Sequence, residues 1–354
     1  MKTPRVLVGF SGGIDSAYAA QRLKDQGYDV TGLFLDVGFK SDNANRAAAL
    51  AEIMEIDFCR RDVSEAFRTA VVEYFLREYA AGRTPNPCVV CNRAIKFAYL
   101  LHEADAGNIE FIATGHYARV DQNGDGRFSL LRGVDHDKDQ SYFLYRLDRA
   151  VLSRLLLPNG QSTKAAVRRW AEQRGLATVS MRESQEICFV PDDDYRSFIE
   201  SSSVSGRFRP GNIVTKDGTI VGRHRGIHSV TIGQRRGLGI ASERPFYVLS
   251  IDRDTNTVMV GRDEDQYAAG VKVRELSWID PGFKPRDPFT AVTRIRYRHR
   301  GVESTVTASP GVNSIAEVLF LHPQKAVAPG QSAVFYDGDR VLGGGIIESG
   351  IACE

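Results

Sequence analysis

The sequence predicts an α/β protein whose first part is a doubly wound parallel sheet and whose later parts are two smaller β-rich units. Up to about residue 205, apolar strand-like runs alternate with helical patterns, as in βαβ units. The run over 5–10 is apolar almost throughout, which is typical of a strand buried on both faces. From about residue 206, short β-prone runs alternate with glycine turns. We therefore predict domains over 1–205, 206–269 and 270–354, the last a β-barrel.

The first domain opens with a strand over 6–10. A helix follows, in which Ala19, Ala20 and Leu23 recur at helical spacing and which Gly27 ends. The further predicted elements of this domain are a strand over 30–36, a helix over 45–56, a long helix over 64–81, a helix that begins at Asn92 as its N-cap, and a strand over 109–114. Later predicted strands are GTIVG, HSVTIG, FYVLSID, TVMVG, ELSWID, FTAVTRIRYR, STVTAS, IAEVLFL and SAVFYDGDRVLGGGII. Ligands of a doubly wound sheet bind beyond the carboxyl ends of its strands.

Composition and net charge limit which compartment, partners and cysteine chemistry can be expected. No run approaches the roughly 18 apolar residues of a membrane span, and no charged-then-apolar leader opens the chain, so we expect a cytoplasmic protein without membrane contact. The net charge of +2 is too small to argue for nucleic acid, so any basic surface must be local. Five cysteines in such a chain indicate reactive or metal-binding thiols rather than a disulfide framework.

The motif SGGIDS, Ser11 to Ser16, forms the predicted turn between the first strand and helix. Its glycines permit close backbone approach, the helix start offers unpaired N–H groups, and its serines add hydroxyl donors, so it predicts a phosphate cradle. The common GxxxxGK[ST] spacing and its lysine are absent. Asp15 is an anion inside this anion site, which predicts a metal ion between it and phosphate. The alternative is a serine-capped glycine turn with no ligand.

A second unusual stretch, GRTPNPCVVCN over 82–92, carries two cysteines. Its prolines predict a stiff, non-helical loop, and Cys91 then precedes the N-cap Asn92. Unpaired N–H groups at a helix start stabilise a thiolate, so we expect a lowered pKa at Cys91. A structural zinc site is the alternative, but no second ligand pair at suitable spacing is present in the sequence.

The remaining cysteines carry weaker signals. Cys188 lies in a predicted apolar strand, and by itself would be a buried, inert thiol. It gains interest only beside the phosphate cradle and Cys91. Cys59 and Cys353 are assigned no chemistry.

The strand predicted over Thr293 to Arg300, TRIRYRHR, would place Arg294, Arg296, Arg298 and Arg300 on one face. Four arginines in a row suit a phosphate backbone. The alternative is an ordinary solvated strand face.

These motifs carry a family resemblance. SGGIDS resembles the PP-loop of ATP pyrophosphatases, which cleave ATP between its α and β phosphates. The blocks SGGIDS, GRTPNPCVVCN, ATGHYARV, HDKDQSYFLYRL, SQEICFV and HSVTIGQRRGLGI occur in the order found in bacterial tRNA-specific 2-thiouridylases. The resemblance covers most of the chain. It implies ATP-dependent 2-thiolation of the wobble uridine of tRNA: adenylation of the C2 oxygen, then sulfur transfer from a cysteine persulfide, with release of AMP and pyrophosphate.

The resemblance also implies site residues, cofactors and partners. Cys188 matches the persulfide carrier and Cys91 the catalytic nucleophile, and the two would close a disulfide after transfer. Contacts to ATP and its Mg²⁺, the latter at Asp15, are implied for Gly9, Phe10, Ser11, Gly12, Gly13, Ile14, Asp15, Ser16, Leu35 and Gly115. Contacts to the target base are implied for Asn86, Pro87 and Cys88, and to the rest of tRNA for His116, Lys138, Asp139, Gln140, Arg296, Tyr297 and Gln331. The sulfur would come from an upstream sulfur-carrier protein or cysteine desulfurase.

One residue departs from the family pattern. Many members carry aspartate where this chain has Cys88, so Cys88, Cys91 and Cys188 become three candidate thiolates. Related thiolases hold an iron–sulfur cluster on CxxC plus a distant cysteine, and cluster-bound sulfide is then the alternative donor. The competing functions are those of a PP-loop amidotransferase-type synthetase, an RNA-modifying ligase, and a non-enzymatic sulfur carrier or RNA-binding scaffold.

Overall fold

The computed structural model describes residues 3–39, 42–122, 126–176, 187–202, 204, 206, 208–280, 283, 285, 287–309 and 314–353. Ser184, Gln185 and Glu186 of the SQEICFV block lie outside the described residues. In the ranges given, no helix is both long enough and apolar enough to cross a bilayer.

Strands and helices alternate in the first part of the chain, and strands dominate the rest. The strands are β1 (Arg5–Gly9), β2 (Asp29–Asp36), β3 (Asp57–Asp62), β4 (Phe111–Thr114), β5 (Ala118–Gln122), β6 (Phe128–Arg132), β7 (Leu155–Leu156), β8 (Gly211–Val214), β9 (Ile220–His224), β10 (Tyr247–Asp252), β11 (Thr257–Gly261), β12 (Tyr267–Trp278), β13 (Phe289–Arg294), β14 (Val302–Ser309), β15 (Ile315–Lys325), β16 (Ser332–Asp337) and β17 (Arg340–Ala352). The α-helices are α1 (Ile14–Asp25), α2 (Asp42–Ile53), α3 (Ser64–Phe67), α4 (Glu73–Ala80), α5 (Pro87–Cys91), α6 (Phe97–Ala106), α7 (Arg149–Leu152), α8 (Lys164–Gln173) and α9 (Tyr195–Glu200). π-Helical turns over Arg68–Val72 and Asn92–Lys96 join α3 to α4 and α5 to α6.

The first sheet is parallel, in the order β3-β2-β1-β4-β7. Both faces of β1 are buried, because Leu7 packs with Phe97 and Leu100 of α6 while Val6 and Val8 pack into a second core on the other face. The doubly wound sheet predicted from the sequence is therefore confirmed. The apolar run without alternation is explained by these two cores.

Helix α1 begins inside the SGGIDS motif and ends where the sequence predicts. Gly27 takes a φ of +85°, and the N–H of Tyr28 donates to the carbonyl of Leu23 over 3.0 Å, which closes the helix end. Helix α2 spans Asp42–Ile53 rather than 45–56.

The predicted helix start at Asn92 is wrong. The helix begins at Pro87, with Asn86 as N-cap, and the backbone stays helical through Cys91 and Asn92 into the π-turn. Proline at the first helical position costs no hydrogen bond and already has a helical φ, so Pro87 starts this helix rather than preventing one.

The middle of the chain forms a mixed four-stranded sheet in the order β10-β11-β8-β9. The run HSVTIG, predicted as a strand, is instead a 3₁₀ turn over Ile227–Ser229 followed by irregular backbone. Gly233 has a φ of +81° there, which a strand residue does not adopt.

The last strands form a closed antiparallel barrel, as predicted. Strands β12-β15-β14-β13-β16-β17 follow one another, and β12 pairs again with β17. The hairpin β5–β6 from the first part extends this sheet, since Leu131 pairs with Arg340 of β17. The barrel is therefore attached directly to the parallel-sheet part of the molecule.

Candidate functional site

The SGGIDS turn has the geometry of an anion cradle. Gly12 takes a φ of +79°, and a Cβ there would lie 3.1 Å from the Cα of Ala47 on α2. Gly13 is the N-cap of α1 and no side chain caps the N–H groups at this helix start. The hydroxyl of Ser16 donates to the carbonyl of Gly13 over 2.8 Å, and Ser11 Oγ lies 3.4 Å from Ser16 Oγ. These residues fit a nucleotide phosphate at the positive end of the helix dipole.

Two further residues hold this turn in place. Gly115, just after β4, passes so close to α1 that a Cβ there would lie 2.6 Å from the carbonyl carbon of Asp15. The buried Asn159 amide donates to the carbonyls of Asp15 and Gly115, each over 3.0 Å. Leu35 lies near the carboxyl end of β2, the neighbour of β1. The residues expected to contact ATP are thus brought to one edge of the sheet.

Asp15 has a cationic partner that the sequence analysis missed. Both of its carboxylate oxygens accept hydrogen bonds of 2.7 Å from Lys164 Nζ, and the hydroxyl of Tyr117 donates to Oδ1 over 2.7 Å. Lys164 is the first residue of α8 and its side chain is only 5% exposed. The lysine absent from the turn is therefore supplied from far along the chain. Lys164 therefore explains the carboxylate of Asp15 without a metal ion, and the metal ion expected at Asp15 stays a prediction.

Cys88 and Cys91 lie on α5, and neither thiol is activated by its surroundings. Cys88 is in the first helical turn and reaches solvent, although protein atoms surround it closely, and Cys91 lies one turn later and is partly buried. Desolvation is the main cause that raises the pKa of Cys88 to about 11 and that of Cys91 to about 12. The expected lowering of the Cys91 pKa is wrong, because that expectation depended on a helix start at Asn92.

Cys188 lies in an exposed turn rather than in the buried strand that the sequence predicts. Its neighbour Phe189 is 2% exposed and packs among the rings of Phe67, Phe75 and Phe198, with centroid distances of 5.3 to 5.6 Å. Phe189 thus anchors the turn, and Cys188 beside it is exposed to solvent.

The structure brings the three predicted thiols together. Electrostatic interaction with Cys188 raises the pKa of both Cys88 and Cys91, and Cys91 packs in the same cluster as Ile187 and Phe189. Over the described residues, no three or more His, Cys, Asp or Glu side chains are arranged to share one metal ion. Cys59, on β3, donates to the carbonyl of Gly32 and is not part of this group.

Lys96 connects the thiols to the edge of the sheet, and the sequence analysis missed it as well. Its charge lowers the pKa of Cys88, Cys91 and His116, although desolvation is the larger effect on each. Lys96 Nζ lies 3.4 Å from His116 Nε2, and His116 Nδ1 lies 2.7 Å from Thr114 Oγ1. Burial holds the pKa of His116 well below its usual value, so the ring is neutral and accepts from the ammonium group. The π-turn that ends at Lys96 is the local feature that aims this side chain.

The raised pKa of Cys91 predicts an unusual pH dependence. Because the thiolate is the reactive form, alkylation of Cys91 by iodoacetamide should still accelerate about tenfold between pH 9 and pH 10, where a thiol of ordinary pKa is already levelling off. Peptide mapping by mass spectrometry, with the exposed Cys353 as internal reference, measures both rates in one sample. A Cys91 rate that levels off near pH 8.5 would contradict the assigned environment.

The barrel holds the segment that carries the cysteines. Gln331 donates from its side-chain amide to the carbonyls of Thr84 and Pro85, over 3.1 and 3.2 Å. The N–H of Thr84 donates to the carbonyl of Pro329 over 2.8 Å, and a Cβ at Gly330 would lie 2.9 Å from the carbonyl oxygen of Thr84. Asn86 and Pro87 are buried beside this contact, so Cys88 is the one member of that tripeptide whose side chain is exposed.

The predicted basic strand is not a strand beyond Arg294. Strand β13 ends there, and 295–300 form a turn around its guanidinium, which donates to the carbonyls of His299, over 2.8 Å, and Tyr297. Arg294 Nη1 also lies 2.9 Å from the buried carboxylate of Asp139. Arg294 is therefore structural, whereas Arg296, Arg298 and Arg300 remain exposed on the turn.

Asp139 and its sequence neighbours Lys138 and Gln140 were also expected at tRNA, and Asp139 contacts the arginine at the centre of this turn. Asp139 is 1% exposed and also accepts from the N–H groups of Gly133 and Ser141, so it can act only by positioning its neighbours. Gln140 accepts from the N–H of Tyr117 over 2.9 Å, and Lys138 is half-buried next to it. The ring of Tyr297 packs 4.6 Å from that of Phe143.

Comparison with known families agrees with this architecture. A model described as tRNA methyl transferase HUP domain matches residues 4–192, one described as tRNA methyl transferase PRC-barrel domain matches 198–262, and one described as aminomethyltransferase beta-barrel domain matches 268–347. The tRNA-specific 2-thiouridylase MnmA 2 of Syntrophus aciditrophicus is 50% identical over 341 residues, which cover 91% of this chain and 99% of the relative. The chain belongs to the tRNA-specific 2-thiouridylase family.

Other members of the thiouridylase family match over similar lengths. The tRNA-specific 2-thiouridylase MnmA of Geobacter metallireducens is 42% identical over 361 residues, which cover 98% of this chain and 97% of the relative. Among solved structures, a 4-thiouridine synthetase–RNA complex with bound ATP gives a TM-score of 0.37 at 14% identity, covering 56% of this chain and 50% of that chain, a likeness too distant to carry an argument. The assignment to the thiouridylase family therefore rests on the full-length relatives.

Proposed function

We propose that this protein catalyses the ATP-dependent 2-thiolation of the wobble uridine of tRNA. One observation carries the proposal: two consecutive residues join the phosphate cradle to the thiols. Gly115 packs against Asp15 of the cradle. The next residue, His116, contacts Lys96, whose positive charge lowers the pKa of Cys88 and Cys91. An enzyme that activates a carbonyl oxygen with ATP and then delivers sulfur needs the phosphate cradle and the thiols within reach of the same base.

In the first step, O2 of the uridine attacks the α-phosphorus of ATP, and pyrophosphate leaves. The N–H groups at the start of α1 bind the phosphates, and Lys164 supplies positive charge at the same place. Asp15 and Tyr117 hold the Lys164 ammonium group in position. We propose no step through Mg²⁺ at Asp15, because Lys164 and Tyr117 already engage that carboxylate.

In the second step, the terminal sulfur of a Cys188 persulfide attacks C2, and AMP leaves with the former O2. The Cys91 thiolate then attacks the Cys188 sulfur, which breaks the bond to the transferred sulfur and leaves 2-thiouridine and a Cys91–Cys188 disulfide. An external dithiol must reduce this disulfide before the next turnover. The exposed position of Cys188 supports this role, because an upstream sulfur-carrier protein or cysteine desulfurase must reach it.

Cys88 keeps a second route open. Cys88 adds a third thiol to Cys91 and Cys188, so an iron–sulfur cluster with cluster-bound sulfide as the donor stays the alternative, although the described side chains are not arranged to share one metal ion. Amidotransferase-type synthetases and RNA-modifying ligases also adenylate through a PP-loop, but their reactions have no use for three grouped thiols. The cysteine group therefore favours thiolation over those activities.

Product analysis tests the proposal directly. With ATP, a persulfide donor and an unmodified tRNA whose wobble base is uridine, the protein should yield AMP and pyrophosphate, and mass spectrometry of digested tRNA should show 2-thiouridine. An omission of tRNA should stop nucleotide cleavage, because the uridine oxygen is the nucleophile. Formation of ADP and phosphate, or tRNA without added sulfur, would contradict the proposal.

The turn over 295–300 predicts where part of the tRNA binds. Arg296→Glu together with Arg298→Glu should weaken tRNA affinity by about tenfold or more and flatten its salt dependence, because fewer counterions are released. Filter binding between 50 and 200 mM salt measures both quantities. If affinity and salt slope stay at wild-type values, these arginines form only a solvated surface and tRNA binds elsewhere.

A further inference from the structure

A loop of the central β unit, residues 231–240, has a defined shape that the proposed reaction does not explain. The Gln234 side chain accepts from the N–H of Thr231 over 3.1 Å and donates to the carbonyl of Arg236 over 2.9 Å. Leu238 is 7% exposed and packs into the core of that unit. Gly233, Gly237 and Gly239 all have positive φ values, of +81°, +76° and +67°. The loop is thus held at both ends while Arg235 and Arg236 point outward.

Three cations near these two arginines already have partners. Arg244 pairs with Glu264 over 3.4 Å, Lys216 pairs with Asp265, and Arg262 stacks 3.8 Å over the ring of Phe246. Arg235 and Arg236 are exposed, and within the described chain neither has a carboxylate at ion-pair distance. The sequence around them is strongly basic, since residues 207–236 contain Arg207, Arg209, Lys216, Arg223, Arg225, Arg235 and Arg236 against the acidic Asp217. Unpaired cations on a fixed loop suit a polyanion.

A cavity of about 350 Å³ opens beside Arg235. Its lining includes Arg244, Ser242 and the ring of Phe246. It offers room for a phosphate group next to the guanidinium group of Arg235.

The loop adjoins the surface proposed above for tRNA. A Cβ at Gly233 would lie 2.5 Å from the Cβ of Ala326 in the barrel. The residue before Ala326 is Lys325, whose carbonyl accepts from Arg296 Nη1 over 3.2 Å. Arg235 and Arg236 therefore continue the basic turn at 295–300 across the boundary between the barrel and the central unit.

We propose that Arg235 and Arg236 bind the phosphate backbone of tRNA, so that the central unit is part of the tRNA surface. The inference rests on the proposed function, because it takes tRNA as the polyanion that this enzyme must bind. Each guanidinium replaces counterions at a phosphate and reads no base. The loop thus contributes affinity and orientation, and not the choice of base.

The test compares tRNA binding by the full-length chain and by Arg235→Ala/Arg236→Ala. With an unmodified tRNA transcript as probe, the double variant should bind about tenfold more weakly at 150 mM salt, and its plot of log affinity against log salt should be shallower by about 2. Arg235→Lys/Arg236→Lys should restore most of the affinity, since lysine keeps the charge.

Arg22→Ala/Arg46→Ala is the matched control, because it removes the same charge from exposed positions on α1 and α2. An Arg235→Ala/Arg236→Ala variant that binds tRNA with the affinity and salt slope of this control would overturn the inference and leave the proposed function standing. A wild-type chain that shows no affinity for tRNA would overturn both.

Discussion

Replacement of Lys164 by methionine is expected to slow adenylation of tRNA by roughly 100- to 1,000-fold, the usual cost of one charge-stabilising donor in an active site. Lys164 is the buried cation at the phosphate turn, and both oxygens of Asp15 hold it there. Without it, the charge that develops on the departing pyrophosphate is left with the uncharged donors of the turn, its backbone N–H groups and serine hydroxyls. Release of radiolabelled pyrophosphate in a single turnover measures the effect.

The partner and a control make this prediction specific. Asp15→Asn should cause a loss of similar size, and Asp15→Asn with Lys164→Met should be little worse than either alone, because the two side chains act as one unit. Lys24→Met removes a lysine that only donates to the carbonyls of Met54 and Glu55 at the far end of α1, and should leave adenylation intact. Wild-type pyrophosphate release by Lys164→Met would show that the lysine merely balances Asp15.

The second large effect is expected at the cysteines. Cys91→Ser and Cys188→Ser should each reduce 2-thiouridine formation by at least about 1,000-fold while adenylation continues, because serine can neither carry nor release sulfane sulfur. Mass spectrometry of tRNA digests, paired with the pyrophosphate assay, separates the two steps. A PP-loop synthetase or ligase would be indifferent to both changes, so full activity of these variants would refute thiolation.

Cys88→Asp decides between the two sulfur routes. Under the persulfide route this variant should keep much of the wild-type activity, since aspartate is the residue that many family members carry. Under the cluster route, protein purified without oxygen should be brown and contain iron, and Cys88→Asp should lose iron and activity together. We favour the persulfide route, and stoichiometric iron in the active anaerobic enzyme would reverse that preference.

Local patterns in the sequence predicted the elements that depend on local interactions. The apolar run of β1, the spacing of α1 and the stop at Gly27 gave the parallel sheet and its phosphate turn correctly. Failures occurred where a distant part of the chain decides the local structure. The sequence places Arg294 on a shared basic face of a strand, but Asp139, 155 residues away, and the carbonyls of the turn that follows β13 draw its side chain inward.

The same limit applied at the site. Lys164 lies 149 residues from Asp15, so no spacing rule connects the two, although the absence of a lysine from the turn was a signal to look for one elsewhere. Lys96 lies close to Cys91 in the sequence, but the π-turn that positions its side chain leaves no distinctive sequence pattern. At α5 the prolines were interpreted as helix breakers, although proline directly after asparagine also marks a helix start. The second interpretation would have placed Cys88 in the first helical turn.

The contact between Gln331 and the backbone at Thr84 and Pro85 has a consequence for how the enzyme matures on the ribosome. Gln331 and Thr84 are 247 residues apart. Because synthesis adds about 5 to 20 residues per second, Gln331 is made roughly 10 to 50 seconds after Thr84. During that interval the parallel sheet can form, but the loop before α5 lacks the groups that fix it. On the proposed persulfide route, we therefore expect the thiols of a nascent chain to become aligned for sulfur transfer only as synthesis approaches the end of the barrel.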